Sequence, residues 1–198
     1  MTSLSKVERK KSVDVLLVGA NPGVALFESE SDDLPIAYAS AWRVDWSVAG
    51  AGDVLISWID GVTQAVSEVP KLAGWLARQF NRHFPEVSGL TWPEPEIILA
   101  PVAYDSDLAS GAHIEAAGLT VHIGEPLTTR FVNVDAFPLG EETMGLSTLL
   151  TPCRRGTIAV GGVDLPGTPK LEQNPVSSTS FLANAEVWYS LDEGASRT

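Results

Sequence analysis

Residues 36–46 alternate large and small side chains with a period of two, and this pattern limits the fold more than any other in the chain. Tyr38, Trp42 and Trp46 occupy even positions, whereas alanine occupies the first three odd positions. Because successive side chains of a strand point to opposite faces of its sheet, the segment predicts a strand with one bulky and one small face. Other short runs of this kind are separated by glycine- and proline-rich turns, which favours an antiparallel sheet.

The periodicity changes after residue 61, where apolar residues recur at spacings of three and four. This spacing predicts one long amphipathic helix over residues 62–84. Pro70 lies inside the stripe, so the helix either kinks at Pro70 or begins there. Acidic residues at the start of 141–150 favour a second, shorter helix. The stripe of the long helix consists of Val62, Val66, Val69, Ala73, Leu76, Phe80 and Phe84.

Together these patterns predict the α+β fold class: mainly an antiparallel sheet or open barrel packed against one long amphipathic helix. A chain of 198 residues is long enough to bury the core of one domain. We assign that single domain to residues 12–190. The flanking segments lack hydrophobic periodicity and are predicted to be a mobile tail at 1–11 and a frayed tail at 191–198.

The chain has 13 basic and 25 acidic residues, and its formal net charge of −12 opposes contact with other polyanions. We therefore expect no nucleic-acid partner and no docking on anionic membranes. No uninterrupted apolar stretch is long enough to span a bilayer. Cys153 is the single cysteine, so no disulfide can form within the chain, and we predict a cytoplasmic location. The sequence leaves homo-oligomerisation open.

Residues 112–123 sort apolar from polar side chains in a way that predicts a β-hairpin. With Ala117 and Gly118 as a two-residue turn, His113 lies directly opposite His122. One face of the hairpin is then apolar throughout, and a register slip of one residue would scramble both faces. The other face carries His113, Glu115, Thr120 and His122.

His113, Glu115 and His122 are therefore the predicted catalytic residues. Two imidazoles and a carboxylate so placed can act as an acid–base pair, or they can bind Zn²⁺ or Fe²⁺. Their spacing matches no known metal-binding motif, so the sequence identifies neither a metal nor a cofactor. The competing interpretation is a solvated outer face, because antiparallel sheets place polar side chains outward by default.

Four aromatic residues on two neighbouring predicted strands form the second candidate site. Tyr38, Trp42 and Trp46 share the bulky face of 36–46, and Trp58 belongs to the next strand. A cavity lined by such rings suits a flat or apolar ligand. The competing interpretation is core packing, in which aromatic side chains are also prominent.

Two functions remain open on these grounds. The first is a small-ligand-binding α+β domain, which as an enzyme would use His113, Glu115 and His122 for acid–base or metal chemistry. The alternative is a non-enzymatic structural or protein-interaction subunit of an assembly, with the loop 164–180 as its contact surface. The first is favoured because tryptophans concentrate on adjacent strands and because the hairpin gathers its polar residues on one face.

Overall fold

The computed structural model describes residues 13–140, 142–173 and 176–190. Both predicted tails, 1–11 and 191–198, lie outside the described residues. The described part contains one α-helix, α1 (Pro70–Gln79), followed by two short 3-10 helices, Asn81–His83 and Pro85–Val87. Its strands are β1 (Val13–Ala20), β2 (Gly23–Leu26), β3 (Ala37–Ser47), β4 (Gly52–Ile59), β5 (Val62–Ser67), β6 (Glu96–Leu99), β7 (Ala103–Asp107), β8 (Gly111–Ala116), β9 (Leu119–Pro126), β10 (Arg130–Leu139), β11 (Glu142–Val160), β12 (Val163–Asp164), β13 (Leu171–Gln173), β14 (Val176–Ser178) and β15 (Ser180–Ser190).

The predicted α+β class, with its one long helix, is wrong because the protein is mostly β. Of the described residues, 62% lie in strands and 9% in helices. Thirteen strands form one large mixed sheet, in which β5 and β6 run parallel. The strands β13 and β14 form a separate antiparallel pair. No helix in the described part of the chain is long and apolar enough to cross a membrane.

The first part of the predicted helix 62–84 is a strand. Asp60 and Gly61 have positive φ angles of 51° and 76°, so they turn the chain back tightly after β4. Residues 62–67 then pair with β4 in antiparallel register. The helix begins at Pro70, one of the two alternatives that the sequence left open, because the first turn of a helix needs no N–H from that residue.

The second predicted helix, 141–150, is also a strand where it is described. Residues 142–150 belong to β11, and Glu141 lies outside the described residues. This part of β11 pairs with β10 on one edge and, from Gly145 onward, with β15 on the other. Cross-strand hydrogen bonds on both edges outweigh the weak helix preference of two acidic residues.

The two faces of β3 pack against different layers. Its three alanines lie in a core with Ile114 of β8 and Ile158 of β11. Its bulky Trp42 and Val44 lie in a second core with Leu76 of α1. The predicted division of this strand into a small and a bulky face is therefore confirmed.

Strand β11 is 19 residues long and connects these layers. Its first part pairs with β10 and β15, whereas its last part, from Cys153, pairs with β9. The strands β9 and β10 therefore lie end to end along one edge of β11, opposite β15. The three strands β10, β11 and β15 form a wall that encloses a cavity together with Trp42.

Candidate functional site

A cavity of about 500 Å³ lies against the wall of β10, β11 and β15. The register aligns side chains in rows across these strands: Val132 opposes Thr148, and Thr148 opposes Ala185. Because side chains two residues apart share a face, each strand presents every second residue to the cavity. These lining residues are Arg130, Val132 and Val134 of β10, Leu146, Thr148 and Leu150 of β11, and Phe181, Ala183, Ala185 and Val187 of β15.

The other side of the cavity comes from β3 and from the segment that follows α1. The ring centroids of Phe80 and Phe84 each lie 6.2 Å from that of Trp42. Phe84 has an extended backbone, as residues before proline prefer, so the chain leaves the helical path there and brings Glu86 to the cavity. Aromatic and aliphatic side chains thus supply most of the lining, as in most ligand pockets.

Asn81 connects this segment to β3 through two buried hydrogen bonds. Its Oδ1 accepts a hydrogen bond from Nε1 of Trp42 at 3.0 Å, and its Nδ2 donates to the hydroxyl of Tyr38 at 3.2 Å. All three side chains are buried. A second buried amide, Asn21, lines the cavity and donates to Oγ of Ser40 at 2.7 Å. Because a buried polar group is costly when unpaired, the hydrogen bond to Asn81 fixes the position of the Trp42 ring.

Glu86 lines the cavity, and the pKa of its carboxyl is raised. Burial among protein atoms raises the pKa of its carboxyl, and a hydrogen bond to its own backbone opposes that rise. Burial also raises the pKa of the Tyr38 hydroxyl, and the negative charge of Glu86 adds to the increase. A glutamate with a raised pKa holds its proton to higher pH than an exposed one, so its carboxyl can donate a hydrogen bond.

Lys170 also lines the cavity, but its ammonium group already has partners. Its Nζ lies 4.1 Å from the centroid of the Phe27 ring and donates to the backbone carbonyl of Asp32. Its backbone N–H donates to Oγ1 of Thr179 at 3.0 Å. These contacts hold the chain that leads into β13 against the rest of the fold.

Two polar atoms of the wall lack a partner. Nε of Arg130 and Oγ1 of Thr148 are buried and make no hydrogen bond within the described part of the chain. The same guanidinium donates from Nη1 to the backbone carbonyl of Val176 at 2.9 Å. Buried polar atoms without a partner are uncommon in folded proteins, and they often mark a place that a water or ligand completes.

The predicted hairpin exists with the predicted register, but its polar face lies away from the cavity. His113 opposes His122, with ring centroids 6.3 Å apart, and Nε2 of His113 lies 3.0 Å from Oε1 of Glu115. All three side chains are exposed and none of them lines the cavity beside the wall, although Glu115 borders a separate, more open depression near the hairpin turn. Within the described ranges, no group of three or more His, Cys, Asp or Glu residues is arranged to hold a metal. The catalytic role of these residues stays a prediction.

The four aromatic residues predicted to bind a ligand occupy different environments. Trp42 lines the cavity, and Tyr38 is fully buried nearby, linked to it through Asn81. Trp46 is 49% exposed, and Trp58 is half-buried and donates from Nε1 to the carbonyl of Thr91 at 3.0 Å. A ligand-binding role for these four stays a prediction, and the structure brings only Trp42 among them to the cavity lining.

Sequence patterns did not identify the cavity residues of β10, β11 and β15. No motif marks them, because they belong to three strands that are joined only by the register. One usable signal is the alternation along β15, where Ala183 and Ala185 stand between Phe181 and Val187 on one face. Two small residues among large apolar ones leave room beside a strand, which a neighbouring layer can fill, as at the alanines of β3, or which can remain as a cavity.

No protein-family model matches the chain, and no curated protein matches it either. Among solved structures, acetoacetate decarboxylase from Legionella pneumophila subsp. pneumophila str. Philadelphia 1 is similar with a TM-score of 0.37 and 9% sequence identity. The match covers 96% of this chain and 90% of that chain. A likeness of this degree assigns neither a family nor an activity. The cavity itself is therefore the basis for a functional proposal.

Replacing Asn81 with alanine should destabilise the protein strongly, because the Trp42 N–H and the Tyr38 hydroxyl both lose their buried partner. We expect the free energy of unfolding, measured in urea, to fall by about 2–5 kcal/mol. Asn133→Ala, at an exposed position of β10, is the matched control and should stay within about 0.5 kcal/mol of the wild type. Equal decreases in the free energy of unfolding of the two variants would show that the Asn81 hydrogen bonds contribute nothing to stability.

Glu86→Gln should change how stability depends on pH. Because the folded pKa is raised, Glu86 contributes stability that is complete below its unfolded pKa and is lost as pH rises through the folded pKa. The melting temperature of Glu86→Gln should therefore exceed that of the wild type by an amount that grows as pH rises above the unfolded pKa of about 4.3. Glu186→Gln, on the exposed face of β15, is the control. The same pH profile in both variants would contradict a buried environment for Glu86.

Proposed function

We propose that this protein binds a small, mainly apolar molecule in the cavity between the β10–β11–β15 wall and Trp42. The cavity volume of about 500 Å³ lies within the range that ligand pockets usually have. The observation that carries the proposal is the partial exposure of apolar side chains in the wall. Val132, Leu146 and Leu150 lie on the inner face of a paired sheet and yet remain partly exposed.

The hydrophobic effect makes this partial exposure of the wall unfavourable. Apolar surface that faces water costs about 25 cal/mol for each Å² relative to the buried state. On the opposite face of β3, alanines pack against branched side chains of the neighbouring strands and are buried with them. At the cavity wall, Ala183 and Ala185 are too short to do so. An apolar ligand would remove the remaining surface of the wall from water.

Chemistry on such a ligand is a separate part of the proposal. We keep His113, Glu115 and His122 as candidates for acid–base or metal chemistry, supported by the direct opposition of the two imidazoles and the 3.0 Å contact to Glu115. Their exposure places them on the outer face of the sheet. A catalytic role there would require a substrate that approaches from solvent rather than from the cavity.

The alternative, a non-enzymatic subunit of an assembly, is favoured by one observation on the other side of the wall. Phe131 and Leu149 form a directly opposed pair on the outer face of β10 and β11, and they are 66% and 42% exposed. Exposed apolar neighbours of this kind occur at protein contact surfaces. This function needs no molecule in the cavity, so the absence of ligand binding would favour it.

Ala185→Leu should fill part of the cavity and weaken ligand binding. We expect the affinity for the neutral fluorescent probe N-phenyl-1-naphthylamine, followed by its emission, to fall at least about tenfold because the leucine occupies the same space. Asn184→Leu adds a leucine to the adjacent outward position and should bind the probe as the wild type does. Equal affinity in all three proteins, or no binding to the wild type, would contradict the proposal.

Replacing His113 or His122 with alanine tests the hairpin. Both rings are exposed, so each substitution should change the free energy of unfolding by less than about 0.5 kcal/mol. For a metal-binding pair, calorimetric titration with Zn²⁺ should show binding to the wild type and its loss in either variant. Thr157→Ala, directly opposite His122 on β11, is the control. Wild-type protein that binds Zn²⁺ no better than either histidine variant would argue against the metal role.

A further inference from the structure

We infer that the ligand of the cavity carries a carboxylate, which Arg130 and Thr148 bind at the β10–β11 wall. This inference rests on the proposed function and adds the chemical class of the ligand: an amphipathic carboxylic acid with an apolar body.

Arg130 is the first reason. Its only hydrogen bond in the described part of the chain runs from Nη1 to the carbonyl of Val176, and Nε has no acceptor. No ion pair among the described residues includes Arg130. A partly buried guanidinium without a counter-charge is costly, and its planar fork of donors matches the two oxygens of a carboxylate.

Thr148 is the second reason. Its hydroxyl is buried without a hydrogen-bond partner, although the residue is only 7% exposed. Thr148 opposes Val132, which lies two residues from Arg130 on the same face of β10. Arg130 and Thr148 are therefore diagonal neighbours, about 7–8 Å apart with their β-carbons somewhat closer, a distance that one carboxylate and a long side chain can bridge.

The other ionisable groups of the cavity do not offer the same opportunity. The ammonium group of Lys170 already contacts the Phe27 ring and the carbonyl of Asp32. The carboxylate of Glu172 accepts a hydrogen bond from Oγ of Ser177 at 3.0 Å. Burial raises the pKa of the Glu86 carboxyl, so this group repels a ligand carboxylate less than an exposed glutamate would. Of the two wall atoms that lack a partner among the described residues, Nε of Arg130 can only donate, and the hydroxyl of Thr148 can donate to the same ligand acceptor.

Ligand size and shape follow from the rest of the lining. The short side chains of Ala183 and Ala185 leave room beside the wall, and Phe84 and Trp42 close the space from the other side. Nε of Arg130 is buried among protein atoms, as is Oγ1 of Thr148. Binding therefore includes a turn of the guanidinium, in which the carboxylate competes with the carbonyl of Val176 for its donors.

The test compares three molecules that differ only in their polar end: 4-phenylbutyrate, 4-phenylbutyramide and 4-phenylbutylamine. Each displaces N-phenyl-1-naphthylamine from the protein at neutral pH and low salt. We expect the carboxylate to bind about tenfold to a hundredfold more tightly than the amide, the range of a charge-assisted hydrogen bond, and the amine to bind most weakly.

Variants of the wall test whether Arg130 and Thr148 cause the preference for carboxylate over amide. Arg130→Met should abolish it, Arg130→Lys should restore part of it, and Arg155→Met, at a position 74% exposed and paired with Glu125, should leave it unchanged. Thr148→Val should weaken carboxylate binding while raising the melting temperature of the free protein, because it removes an unpaired buried hydroxyl. A structural role for Thr148 would predict the opposite change in stability.

The outcomes separate the two proposals. If amide and carboxylate bind equally, or if Arg130→Met and Arg130→Lys, both folded by circular dichroism, keep the preference, the carboxylate inference is overturned while probe binding still supports a ligand site. If neither the probe nor any of the three molecules binds the wild type, the proposed function and this inference both fail.

Discussion

The structure depends on the burial of β3 on both faces. A strand in the interior of a sheet has two surfaces to cover, and here side-chain size decides what covers each one. The alanine face lets the β8–β9 layer approach closely, whereas the tryptophan face accommodates α1. The cavity lies at the margin of the tryptophan face, where the helix has ended and the β10–β11–β15 wall is the next surface.

Hydrogen bonds of Asn81 and Asn21 hold the residues around the cavity in fixed positions. Hydrophobic packing alone has no direction, so it would allow the segment after α1 to settle in many positions. The buried amide of Asn81, which is bonded to Trp42 and Tyr38, restricts the segment to one position. The polar groups of the site therefore divide into a satisfied set that holds the aromatic side and an unsatisfied set, Arg130 and Thr148, on the sheet side.

Local side-chain order was enough to predict β3 and the β8–β9 hairpin, because the register of a hairpin follows from its turn and from the alternation beside it. The helix was extended too far because Val62 and Val66 are four residues apart, a spacing that fits a strand as well as a helix. The turn at Asp60 and Gly61 was the local signal that distinguishes the two. The cavity could not be predicted in this way, because no local pattern determines which distant strands become neighbours.

Ala183 and Ala185 of β15 influence the volume of the cavity without influencing the pairing of the strands. Backbone hydrogen bonds hold β15 between β1 and β11, and they do not depend on which side chain stands at 183 or 185. A change of residue at either position would therefore alter the free volume beside the wall and leave the course of the main chain unchanged.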